Sequence, residues 1–157
     1  MALQTTGQVR ADADRAAAFE FVRDPVRLAE CIPGCHDLRE LSPRRYAAVL
    51  TNKLAFIVLS FNVVVEIIRI EPPSLIEAKI NGEAIGLAGR VAATARLDLD
   101  EVGKGQTEIR YAVQVGLTGK LGGLGEPVFK ATSAEMARRF GSNLKSAIES
   151  WRTEETA

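Results

Sequence analysis

Hydrophobic and polar residues alternate with two different periods along the chain, and the switches between them predict its elements. Residues 3–10 (LQTTGQVR) read as a short strand with Leu3, Thr5 and Val9 on one face. The segment ADADRAAAFEFVRD follows. Its alanine run favours helix, and Asp12 or Asp14 can cap it by accepting the free amide protons of the first turn. Asp24-Pro25 starts a second short helix, with Asp24 as cap and Pro25 in the first turn, where a missing N–H costs nothing. Pro33-Gly34 ends it.

The period then drops to two. Strands are predicted over 36–41, 44–53, 58–71, 74–81, 86–100 and 106–117, supported by their β-branched and aromatic content. Pro72-Pro73 breaks between two of them, and Asn81-Gly82 and Gly103-Lys104-Gly105 read as turns. Ile76, Ala78 and Ile80 oppose Glu77 and Lys79. Leu87, Val91, Ala93, Ala95, Leu97 and Leu99 oppose Arg90, Thr94, Arg96 and Asp98. Ile109, Tyr111, Val113, Val115 and Leu117 oppose Glu108, Arg110 and Gln114. One wet and one dry face is the pattern of an antiparallel sheet. A long helix closes the chain, from Glu126-Pro127 to about Trp151. Phe129, Met136, Phe140, Leu144, Ala147, Ile148 and Trp151 form its apolar stripe, against Glu135, Arg138, Arg139, Ser142, Ser146 and Glu149.

The order β-α-α-β-β-β-β-β-β-α makes an α+β domain over residues 1–152, with residues 153–157 as a polar, frayed tail. Consecutive antiparallel strands curl, and the last helix is the only element large enough to cover their dry face. Small residues on that face (Ala78, Ala93, Ala95) leave room for a cavity.

Composition narrows the function classes. With 157 residues and 46% apolar residues, the chain can build one real core. Twenty basic and twenty acidic side chains cancel, so the basic excess of a nucleic-acid binder is missing. The start MALQTTG has no secretory signal pattern. The most apolar run, Leu54 to Ile70, is interrupted by Ser60, Asn62, Glu66 and Arg69, too polar for a membrane helix. A soluble, cytoplasmic chain is expected.

Three segments carry a family resemblance. DPVRLAECIPGCHDL (24–38), IEPPSLIEAKINGEAIGLAG (70–89) and QTEIRYAVQVGLTGKLGGLG (106–125) resemble, in order, motifs of the carbon monoxide dehydrogenase G-subunit family. LAFIVLSF (54–61) departs from it, lacking the glycine-proline turn that members often carry. The resemblance implies a helix-grip fold, shared with lipid-transfer domains, pollen allergens and polyketide cyclases. That fold is a curved antiparallel sheet of about seven strands around the C-terminal helix. It further implies a non-enzymatic accessory role in the maturation or membrane recruitment of a molybdenum hydroxylase, with transient contact at the inner membrane face. Many members also carry an apolar anchor after the last helix, and RTEETA does not resemble one. On this architecture the ligand is a hydrophobic small molecule, a lipid or quinone. Phe61, Ile80, Leu87, Val91, Tyr111, Val113, Leu117, Phe129, Met136 and Phe140 are expected to line its cavity.

Candidate chemistry is sparse. Cys31, Cys35 and His36 have the spacing C-x3-C-H without a second ligand cluster, so no metal and no cofactor are expected, and the thiols read as small apolar groups. His36 is the only histidine and no G-x-S-x-G occurs, so a catalytic triad is not expected. Glu66 interrupts an apolar strand. It reads as an outer-face charge, the alternative being a cavity carboxylate of a cyclase- or hydrolase-like enzyme. GKLGGLG (119–125) reads as a hinge for the last helix rather than a phosphate loop. Apolar residues of 54–61 that face outward would mark a partner or membrane contact, the third reading being a scaffold without a ligand.

Overall fold

The structure is a computed structural model that describes residues 2–54, 57–119, 121 and 125–156, and their side chains except at Leu54 and 152–156. The elements are β1 (Ala2–Ala11), α1 (Arg15–Val22), α2 (Pro25–Cys31), β2 (Cys35–Ser42), β3 (Arg45–Leu54), β4 (Ile57–Glu71), β5 (Leu75–Ala84), β6 (Gly89–Gly103), β7 (Gln106–Gly119) and α3 (Glu126–Thr156). All seven strands join one antiparallel sheet in the order β1-β7-β6-β5-β4-β3-β2. Strands β2 to β7 form a meander, and β1 closes against β7. The sheet is curved and open, and α3 crosses its concave side, lying mainly against β1 with further contacts to β3, α1 and α2.

Register makes the alternation concrete. Inner positions line up as rows across the strands: Gly7–Tyr111–Leu97–Ile76, then Thr5–Val113–Ala95–Ala78, then Leu3–Val115–Ala93–Ile80. The outer rows between them carry the charges. There Arg69, Glu77, Arg96 and Asp98 are linked by ion pairs of 2.8–3.3 Å, and Arg110 bridges Asp100 and Glu108.

Two apolar clusters hold the interior. One joins α1 (Phe19, Phe21, Val22) to Leu97, Leu99, Ile109 and Tyr111 of the sheet and to Leu144 and Ile148 of α3. The other joins Leu3, Leu59, Phe61, Val63 and Leu117 to Leu121 and to Phe129 near the start of α3. Leu99, Ile109, Leu144 and Ile148 are fully buried, each side chain contributing about 1.5–3 kcal/mol.

Local differences from the sequence pattern have identifiable causes. Asn81-Gly82 is no turn: it lies within β5, because glycine leaves the space that Val63 Cγ1 fills, 2.9 Å from where a Cβ would stand. The chain reverses after Ala84 instead, so β6 begins at Gly89. Asp14 occupies the N-cap position of α1 but its side chain makes no cap bond. Asp24 does cap α2, accepting from Val26 N at 2.9 Å. α3 continues past Trp151 to Thr156. Turns form as predicted at Pro72-Pro73 and Lys104-Gly105.

Candidate ligand-binding site

The site is built from what the two clusters leave uncovered. Thr5, Val113, Ala95 and Ala78 form one continuous inner row across β1, β7, β6 and β5, yet none belongs to either cluster. All four are half-buried; on β4 the row meets Ile67, which packs against the first cluster, while Val65, opposite Ile80 in the next row, is half-buried outside both clusters. Residues at the centre of a seven-stranded sheet and under a helix should be dry if helix and sheet met there. Their residual exposure makes the space above them the candidate gap between the two layers.

The helix shows the same interruption. Phe129 packs in one cluster, and Ala137, Phe140 and Leu144 in the other. Between them Thr132, Ser133 and Met136 are half-buried. Ser133 stands four residues from both Phe129 and Ala137 and shares their face. A ligand held there would meet an apolar floor (Ala78, Ala95, Val113), with Met136 as the candidate thioether wall and Thr5, Thr132 and Ser133 as candidate bordering hydroxyls. None of these side chains is charged.

The ten expected lining residues all lie on the concave side or in its flanking segments, but in three settings. Val113 and Met136 are half-buried and belong to neither cluster. Phe61, Leu117 and Phe129 are buried in the Leu3–Leu121 cluster, and Ile80, Leu87 and Val91 pack against it. Tyr111 is buried in the other cluster with Phe140 packed on it, the rings edge-to-face at 5.0 Å. Tyr111 is a clamp between layers. Its hydroxyl donates to Ala137 O at 2.8 Å, and its ring fills the space where Gly7 and Gly141 lack a Cβ. Burial pushes its phenol up. Ala78 and Ala95 were legible as space-making residues. Thr5, Thr132 and Ser133 were not, because a lone hydroxyl in an amphipathic pattern carries no signal.

Other candidates resolve as follows. Glu66 is exposed on the outer face, opposite Arg45 and Lys79, so it is not a cavity acid. Cys31 is buried and its Sγ–H donates to Arg27 O at 3.6 Å. Burial first, then the Glu30 charge, push the Cys31 thiol up to about 11, and burial also raises Cys35. Both therefore favour the protonated form, unsuited to a metal or to attack. Among the described residues no group of three or more His, Cys, Asp or Glu side chains could hold a metal ion. Within 119–125, Lys120 and residues 122–124 lie outside the described residues. Gly119 and Gly125 take φ of 76° and 88°, and Leu121 is fully buried against Gly89. In 54–61, Phe56 also lies outside the described residues, Leu59 and Phe61 are buried, and Ile57 and Val58 are exposed.

Two shallow depressions, of about 480 and 610 Å³, lie over the outer face along a row of small residues that includes Asn81, Ala92 and Gly116. No α3 residue lines either one, so they are separate from the gap.

The sequence matches a family model over residues 7–149, that of the carbon monoxide dehydrogenase G subunit, CoxG. The chain belongs to the CoxG family. Among curated proteins none matches this CoxG-family chain. Solved structures similar to it include a conserved protein from Geobacillus kaustophilus at 22% identity and TM-score 0.83, covering 94% of this chain and 96% of that one. A START superfamily protein from Mycobacterium smegmatis matches at 11% identity and TM-score 0.70, over 94% and 98%. The Zhui aromatase/cyclase from Streptomyces sp. R1128 matches at 11% identity and TM-score 0.65, over 100% and 97%. These likenesses establish a START-like helix-grip fold.

Proposed function

We propose that this CoxG-family chain is a carrier. It holds a hydrophobic molecule, a lipid or quinone, between sheet and α3, and performs no chemistry on it there. The observation that carries this reading is that the row Thr5–Val113–Ala95–Ala78 and Met136 of α3, all uncharged, are half-buried and belong to neither packed cluster. An apolar body excluded from water there gains about 25 cal/mol per Å². The bordering hydroxyls of Thr5, Thr132 and Ser133 suit a single polar end such as a carbonyl oxygen.

The accessory role, assisting maturation or membrane recruitment of a molybdenum hydroxylase, rests on family membership. No described helix is long and apolar enough to cross a membrane. A transient contact would use Ile57, Val58 and Ile85, exposed apolar residues near one end of the sheet. The cyclase-like reading loses its acid, since Glu66 faces outward.

Native mass spectrometry after gentle purification tests the carrier. We expect a population carrying one apolar adduct, or its formation on exposure to lipid extract. A uniformly empty protein with no uptake would contradict it.

A further inference from the structure

A hydrogen-bonded chain on the outer face of β2, β3 and β4 belongs neither to the clusters nor to the gap. Asp37 Oδ2 lies 2.9 Å from His36 Nδ1, His36 Nε2 lies 3.0 Å from Thr51 Oγ1, and Thr51 Oγ1 lies 2.9 Å from Ser60 Oγ. Chemistry gives the chain a direction. An ionised carboxylate only accepts, so Nδ1 carries the proton. In the neutral imidazole Nε2 then accepts, and the donor must be the Thr51 hydroxyl. Thr51 Oγ1 in turn accepts from Ser60. A carboxylate thus orients an imidazole whose free nitrogen faces a hydroxyl, the arrangement that turns a hydroxyl into a nucleophile.

The sheet holds Thr51 and Ser60 in place, while the His36 and Asp37 side chains are 50% and 73% exposed. Thr51 and Ser60 are paired across β3 and β4. Thr51 N donates to Gly34 O at 2.9 Å. Gly34 sits at φ +81°, with Thr51 O occupying the place of its missing Cβ. Asp37 takes φ 55° where the β2–β3 register breaks, which sets its carboxylate beside the preceding ring. Next to Ser60 the surface turns apolar. Val58, two residues back on the same face, is 64% exposed, and Ile85, whose N–H donates to Ser60 O, is 49% exposed.

We propose that this outer-face cluster is an acyl-transfer site for small esters with an apolar acyl chain, which Val58 and Ile85 would seat. Thr51 Oγ1 attacks the ester carbonyl carbon while its proton passes to His36 Nε2. The bond from that carbon to the leaving oxygen breaks, and the departing alkoxide takes the proton. Water, deprotonated by the same nitrogen, then releases the acid and restores the Thr51 hydroxyl. Asp37 is a positioning residue. The site is independent of the carrier reading and lies on the opposite face of the sheet.

The full-length chain incubated with 4-nitrophenyl butyrate tests this. We expect one butyryl group on Thr51 by intact mass and peptide mapping. His36→Gln should slow the reaction by on the order of 100-fold or more, Asp37→Asn by less, and Thr51→Val should abolish the adduct. Thr51→Ser should retain it, which keeps the test valid if Thr51→Val folds poorly. A butyryl group on Lys53 or another residue, no adduct at all, or His36→Gln reacting as fast as the unaltered chain would overturn the proposal.

Discussion

Tyr111 and the two glycines beside it show how single residues fix the spacing of the layers. A Cβ on Gly141 would overlap the Tyr111 hydroxyl and stand 2.9 Å from Val9 Cγ1. Gly141→Ala should therefore destabilise the fold by about 1–3 kcal/mol, the usual cost of overpacking. In the double mutant with Tyr111→Phe, which removes the overlapping oxygen, part of that loss should return, seen as a non-additive shift in denaturant midpoint. The sequence placed Tyr111 on the dry face correctly. It could not show Tyr111 as a clamp, because that depends on two glycines distant in the chain meeting one ring. Cys31 is a second case at this scale. Its thiol is pushed up to about 11 by burial, so it should resist alkylation at neutral pH in the folded protein and react only on unfolding. Rapid native-state labelling of Cys31 would contradict its placement.

At the scale of elements, alternation carries most of the information. In β5, β6 and β7 the residues read as dry are the inner rows, and the charges read as wet form the outer ion pairs. The pattern failed where a turn signal competed with packing. Asn81-Gly82 has the composition of a hairpin tip, but buried Gly82 makes room for Val63 and lets β5 continue to Ala84. The outer charges matter modestly. Arg96 bonds Asp98 through two nitrogens at 2.8 and 3.0 Å, and that hydrogen bond holds the Asp98 carboxyl below its ordinary value. A lowered pKa stabilises the fold above the unfolded carboxyl value of about 4 and is lost as pH falls through the folded one. Because Arg96 is half exposed, solvent screening keeps the pair's contribution small. Asp98→Asn should thus be slightly less stable at neutral pH in urea denaturation, with the difference vanishing in acid. A difference that grows in acid would refute this.

At the scale of the molecule, the element order and the amphipathic last helix sufficed to read a curved sheet gripping a helix. The gap was only half legible. Ala78 and Ala95 announce missing volume, yet whether neighbours collapse into that volume depends on how closely α3 approaches. The clamp at Gly7, Tyr111 and Gly141 holds α3 against β1, while Ala78 and Ala95, further across the sheet, are only half-buried. Of the expected lining, Phe61 and Leu117 are buried in the Leu3–Leu121 cluster, while Val113 and Met136 are half-buried outside both clusters.

The central claim is that apolar cargo sits against Met136. The chain has two methionines, so a methyl-labelled sample gives two NMR signals, and Met1 serves as the internal control. On titration with a short-chain quinone the Met136 methyl should shift and saturate while Met1 stays put, and Ala95→Phe, which fills the gap, should abolish the shift. A Met136 signal unmoved at saturating quinone, or one that still shifts in a folded Ala95→Phe chain, would contradict the account.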